Sequence, residues 1–360
     1  MDNILFKNNV YVGRKTMNQK SRRVWLVLPI ILALVGMAVL PNTSQPAQAQ
    51  DDEFKVAVVT PSAVDDLAFS QSMIDALDRL SEEMEGFSYD FQDGTFVVDD
   101  AAVALRDWAS SGEYDLIIAH GSQYGAIIEE LAPEFPEVSF AWGTDVNTFG
   151  LDNVFAYSAA SDQGGYVLGV LAGNLTQSSI GVIGPIEVGD AKLFVDGFVA
   201  GATAAGATSN VVYTQSFSDV TLAAETAQGF IADGADVLSG TAQMVVGAIG
   251  AAKDADSQVL WLGTQSSQAD LAAEIGVAFQ VYHWEVVLAD MIEKIKGGQL
   301  GGEAYEITLE NGGLTIEYGQ YELSDEMKAL VDETVAGIID GSIVPLPEME
   351  PEPTEESSGG

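Results

Sequence analysis

The residues best suited to chemistry gather in short polar stretches, each placed just after an apolar run. The first is PSAVDDLAFSQ at 61–71, which offers Asp65, Asp66, Phe69, Ser70 and Gln71. Further along come His120-Gly121-Ser122, Gly143-Thr144-Asp145, Phe217 with Asp219, Ser239-Gly240-Thr241, Gly263-Thr264-Gln265-Ser266, and Tyr282-His283-Trp284. These stretches supply aromatic faces, amides, hydroxyls and a few carboxylates. Such a set suits recognition of a neutral or cationic, partly planar small molecule. A phosphate-rich ligand is ill matched to so few basic residues, although Lys192 or a helix N-terminus has the chemistry to hold one anion.

Bond-breaking chemistry is poorly provided for. No P-loop, GxSxG, HExxH or GxGxxG stands in a convincing strand-to-helix context, and neither serine beside Gln71 has an evident base. The chain has no cysteine and two histidines, His120 and His283. That excludes disulfides, thiolate metal sites, a cysteine nucleophile and a lipidated N-terminal cysteine. No catalytic residue, cofactor or metal ion is expected. The same residues also have plainer uses: Phe69 can pack into a core, and Asp65-Asp66, which could form half of a carboxylate pair or bind a cation, better fit a solvated, helix-capping role.

The elements that must carry these stretches alternate in type. Candidate strands at 55–60, 87–90, 116–120, 137–142 and 154–157 flank helices near 70–84, 99–111 and 122–131, the pattern of a parallel sheet with crossover helices. In open sheets of this kind ligands bind outside the carboxyl ends of the strands, where the polar stretches fall. Residues 162–175 read as an apolar helix in which Gly164, Gly165, Gly169 and Gly173 permit close packing. A second α/β run then extends to Tyr282. Two such halves leave one natural cleft between them, a preferred place for a small-molecule site. Beyond it come an amphipathic helix at 284–296, a segment whose alternation around Asn311-Gly312 suggests a hairpin or paired strands, and a helix at 325–340.

The ends differ from the body. Basic residues precede VWLVLPIILALVGMAVL, an uncharged run of 17 residues from Val24 to Leu40, and Ala47-Gln48-Ala49 follows. Residues 1–50 are therefore expected to be an export signal or a retained N-terminal anchor, with the body exported to the periplasmic or extracellular face of the cytoplasmic membrane. Residues 345–360, rich in proline and acid, are expected to be a disordered tail. The formal net charge is −40, and beyond Gln50 only eight basic residues face 53 acidic ones. That balance argues against nucleic acid and anionic membrane surfaces as partners. It fits a solvated, salt-tolerant surface.

Five segments in order carry a resemblance: VDDLAFSQS at 64–72, SDQGGYVLGVLAG at 161–173, KLFVDGFVAGA at 192–202, VVYTQSFSDVTLAAETAQGFIADGADV at 211–237 and VLWLGTQSSQ at 259–268. With them the chain resembles, over about residues 54–340, the basic membrane protein family of exported substrate-binding proteins, which includes the purine-nucleoside-binding lipoproteins of ABC transporters. The resemblance implies a type I periplasmic-binding fold, with two Rossmann-like lobes, parallel sheets and closure on a ligand. Lobe 1 is expected at 54–160 with about 283–302, and lobe 2 at 161–282 with about 303–341. In nucleoside-binding members the first loop carries a Phe-Asn pair that stacks on and hydrogen-bonds the base; here that pair is Phe69-Ser70. The base-reading aspartate matches Asp145. Other family positions are changed: an early aspartate falls at Pro61, the second stacking phenylalanine at Ser239, the ribose-binding aspartate at Gln265 and a lysine at Tyr282. Phe217, Tyr282 and Trp284 are candidates to supply the second ring.

The expected function is thus capture of a small polar molecule, with a nucleoside as the class the resemblance implies, for delivery to an ABC permease by a monomeric binding protein. The alternatives are a ligand-sensing receptor ectodomain with no transport role and a nucleoside-processing enzyme. The expected ligand contacts are Asp66, Phe69, Ser70, Gln71, Gly121, Ser122, Asp145, Phe217, Ser239, Thr241, Gln265, Tyr282 and Trp284.

Overall fold

Alternating apolar runs and helices become two sheets among residues 53–347, which the computed structural model describes. The expected export segment at 1–50 and the tail from 348 onward lie outside the described residues. In the first lobe, β1 (Phe54–Val59), β2 (Phe87–Gln92), β3 (Leu116–His120), β4 (Ser139–Gly143) and β5 (Val154–Ala159) pair in parallel in the order β2-β1-β3-β4-β5. Between them run α1 (Phe69–Glu83), α2 (Val98–Ser111) and α3 (Gly125–Leu131). The inner strands are apolar on both faces because helices cover both. Val56, Val58 and Ile118 pack toward α1, while Ala57, Val59 and Ile117 pack toward α2 and α3.

The second lobe repeats the plan. α4 (Ser161–Leu175) leads into β6 (Ser179–Gly184), α5 (Gly189–Ala204), β7 (Ser209–Tyr213), α6 (Val220–Ala232) and β8 (Ala235–Gly240). It continues through α7 (Val245–Lys253), β9 (Leu260–Gln265), the short α8 (Ala269–Ala272) and β10 (Gly276–Tyr282). These strands pair in parallel in the order β7-β6-β8-β9-β10, the order of the first sheet. α4 and α5 meet backbone to backbone: a Cβ at Gly165 would strike the Phe194 carbonyl, one at Gly169 the Phe198 carbonyl, and one at Gly201 the Tyr166 carbonyl. The expected glycine-mediated packing of the 162–175 helix thus has a definite partner.

After β10 the chain crosses back. α9 (Glu285–Lys296) packs beside α1, where Arg79 donates two hydrogen bonds to the Glu285 carboxylate at 2.6 and 2.9 Å. β11 (Glu303–Ile307) then joins the first sheet in parallel with β5. Only after Ile307 does the chain cross again, so that β12 (Leu314–Tyr318) adds antiparallel to β10 and α10 (Asp325–Ile339) packs on α4. This corrects two expectations. The final crossing lies after Ile307 rather than near residue 302, which gives the 303–307 strand to the first lobe. The segment around Asn311-Gly312 is not a hairpin either, because its two strands find partners in different sheets.

Candidate functional site

The loop after β1 is tied to itself by Asp66. Its Oδ1 accepts hydrogen bonds from the Ala68 and Gln71 N–H groups at 2.9 and 3.1 Å, and its Oδ2 accepts from the Ser62 hydroxyl at 2.6 Å and the Ser70 N–H at 3.2 Å. The Ser70 and Ser62 hydroxyls lie 2.7 Å apart, and Gln71 Oε1 accepts from the Leu67 N–H at 3.0 Å. Asp66, Ser70 and Gln71 are therefore employed in shaping the loop, and that shape delivers Phe69 at the first turn of α1. The Phe69 ring lies flat on His120, with centroids 3.9 Å apart and planes 9° from parallel.

His120 is a rigid support. Its Nε2 is 3.2 Å from the Phe69 carbonyl and its Nδ1 is 2.8 Å from the Tyr157 hydroxyl. A carbonyl oxygen only accepts, so Nε2–H donates to it and Nδ1 accepts from Tyr157. Burial pushes the imidazole down to about 3, against the opposing effect of the Phe69 carbonyl, and the ring is neutral at physiological pH. Beneath it Trp284 is edge-on to His120, Tyr157 and Tyr282, and its indole N–H donates to the Ser72 hydroxyl at 2.9 Å.

Each sheet reverses its strand order at its first strand, between β1 and β3 in one lobe and between β6 and β8 in the other. Such switch points open crevices at the carboxyl ends of the strands. Here the two crevices face one another and line a single, partly open cleft between the lobes. The first lobe contributes Pro61 and Phe69 after β1, Gly121 to Gln123 after β3, and Thr144 after β4. The second contributes Val188 to Ala191 after β6, Ala242 and Gln243 after β8, and Gln265 at the end of β9. Phe96 and Phe217 approach from opposite lobes, centroids 6.2 Å apart. Between the lobes, the Ser266 hydroxyl donates to the Ala68 carbonyl at 3.1 Å and the Gln268 amide to the Leu67 carbonyl at 3.3 Å.

The floor on the second side is polar. Gln265 Oε1 accepts from the Ala242 N–H at 3.2 Å, and the Gln265 side chain favours the charged form of the nearby Asp190 carboxylate. The Tyr282 hydroxyl lies 2.7 Å from the Ser161 hydroxyl and 3.5 Å from Asp190 Oδ2. Burial pushes the Asp190 carboxyl above the usual range, with the bonds from Gln265, the nearby backbone N–H groups and Tyr282 acting in the opposite direction.

Of the residues expected to touch ligand, Phe69, Gly121, Ser122, Phe217 and Gln265 line this space together. Asp66, Ser70 and Gln71 lie behind Phe69 for the reason given above. Asp145 sits one residue past the lining, its Oδ1 accepting from the Val146 and Asn147 N–H groups at 2.8 and 2.9 Å. Tyr282 and Trp284 are packed beneath the cleft, not in it. Ser239 and Thr241 are buried, and their hydroxyls have no protein hydrogen-bond partner among the described residues. Lys192, the cation with the chemistry to hold an anion, is paired with Asp196 one turn along α5 at 2.5 Å. Sequence reasoning missed Phe96, Gln123, Asp190 and Gln243. Asp190 was findable, since Gly189-Asp190 follows β6 and opens α5 as the other polar stretches follow theirs.

Two α/β lobes with facing switch points and three crossings between them form the architecture of the type I periplasmic-binding proteins, and this chain is a two-lobed binding protein of that class. The family model described as ABC transporter substrate-binding protein PnrA-like matches residues 54–346, and the chain belongs to that family. It is 27% identical over 355 residues to a CD4+ T-cell-stimulating antigen of Listeria innocua, an alignment covering 90% of this chain and 98% of that one. It is 25% identical over 251 residues to a purine-binding protein of Brucella abortus, covering 69% of each. A solute-binding protein of an ABC transporter system from Conexibacter woesei superposes with a TM-score of 0.70 at 25% identity, covering 82% of this chain and 98% of the other. The family consists of substrate-binding proteins and not enzymes; its members present a small molecule to a membrane permease from outside the cytoplasm. Among the described residues no helix is long and apolar enough to cross a membrane.

Proposed function

We propose that this chain captures a small, partly planar molecule between Phe69 and the second lobe and hands it to an ABC permease, with purine nucleosides as the first class to test. The observation that carries the reading is the Phe69 ring, braced on neutral His120 and lining a cleft whose opposite wall holds Phe217 and the amides of Gln243 and Gln265. Aromatic faces receive planar rings through stacking, and amides hydrogen-bond polar edges. The purine-binding relative from Brucella abortus supports the nucleoside class. Phe217 and Phe96 take the part of the second ring that the resemblance had put at Ser239.

A ligand that binds only the folded state raises apparent stability. Thermal-shift screening against nucleosides, nucleobases, sugars and amino acids is expected to give its largest shifts with planar ring compounds. If guanosine, inosine and adenosine at about 1 mM all leave the transition unmoved, the nucleoside class is wrong.

A further inference from the structure

We propose that the ligand of this cleft carries a positive charge and that Asp190, with the rings of Phe69, Phe96 and Phe217, selects for it; the inference rests on the cleft being the binding site. Among the described residues that line the cleft, Asp190 is the one ionisable side chain. The groups that favour its charged form are all neutral: the Gln265 side chain, the backbone N–H groups of residues 190 and 191, and the Tyr282 hydroxyl, which donates to it at 3.5 Å. Such donors fix its position without cancelling its charge, and the start of α5 offsets only part of it. Lys192, two residues on, is engaged by Asp196. The upward push of burial on the Asp190 carboxyl is what a carboxylate without a counter-charge experiences.

A ligand ammonium or amidinium group would supply that counter-charge. The faces of phenyl rings attract the same group, more strongly when it is desolvated. At long range the formal net charge of −40 concentrates cations around the molecule and repels anions. Carboxylate, rings and overall field thus favour one sign of ligand. In a nucleoside-like ligand, the charge would distinguish a protonated or alkylated base from its neutral parent.

Calorimetric titration with two matched pairs tests this: 1-methyladenosine, cationic at neutral pH, against adenosine, and tyramine against its neutral alcohol analogue tyrosol. The cationic member is expected to bind at least about 10-fold more tightly than its twin. Asp190→Asn keeps the shape of the side chain and removes its charge, so its circular dichroism should match wild type. It should erase the preference, so that cation and neutral twin bind alike and the cation loses at least about 10-fold relative to its twin, and Asp190→Glu should keep the preference. A neutral twin that binds as well as the cation, or cation binding that survives Asp190→Asn, would overturn the charge assignment and leave the cleft as the binding site. If no member of either pair binds wild type, the reading of the cleft fails and the charge assignment falls with it.

Discussion

The Phe69 ring is held by a histidine that stays neutral because it is buried, and that has a cost in acid. In the unfolded chain the imidazole titrates near 6.5, whereas in the folded protein it titrates at about 3. Between those values the unfolded state binds more protons, so this group's contribution to stability is lost as pH falls from 6.5 toward 3. At pH 5 the loss is about 2 kcal/mol. Asp75, Asp162, Asp190 and Glu306, raised chiefly by burial, act in the opposite direction. The comparison must therefore be made against His120→Gln, which should be less stable at pH 7 but show a flatter decline in melting temperature between pH 6.5 and 5. Equal slopes in both proteins would show that His120 does not titrate as its burial requires. At this scale the sequence was partly legible. Phe69, Gly121, Ser122, Phe217 and Gln265 could be picked out because each lies at a strand end or between it and the first turn of the next helix. Asp66, Ser70 and Gln71 could not be told from ligand contacts, since a side chain that shapes a loop has the same chemistry as one that binds. Phe96, more than half exposed at 55%, stands in a loop with no pattern to mark it.

Among the elements, the α4–α5 pair bears most directly on the site, because α5 carries Asp190 and α4 begins at the first crossing, where Ser161 meets Tyr282. Gly169→Ala should force the two backbones apart at the Phe198 carbonyl and destabilise the protein by about 1–3 kcal/mol, the range of overpacking. A chemical denaturation midpoint equal to wild type would contradict the backbone contact. The strand and helix alternation that gave away both sheets is a local signal, and it served well where neighbours in sequence are also neighbours in the sheet. It failed at 303–318 because β11 and β12 alternate like a hairpin while their partners, β5 and β10, lie far away in sequence.

For the molecule as a whole, three crossings join the lobes and two switch points face one another across the proposed cleft. The hydrogen bonds from Ser266 and Gln268 to the 67–68 loop, together with the approach of Phe96 to Phe217, join the two lobes directly. A ligand resting on Phe69 therefore touches both lobes, and its affinity measures the cleft directly. The decisive measurement is a calorimetric titration of wild type and Phe69→Ala with whichever planar ligand gives the largest thermal shift. Saturable one-site binding by wild type, weakened by about 1–3 kcal/mol in the variant with its unliganded melting temperature nearly unchanged, is the predicted result. An affinity that Phe69→Ala leaves as it was would place the ligand elsewhere and contradict the account.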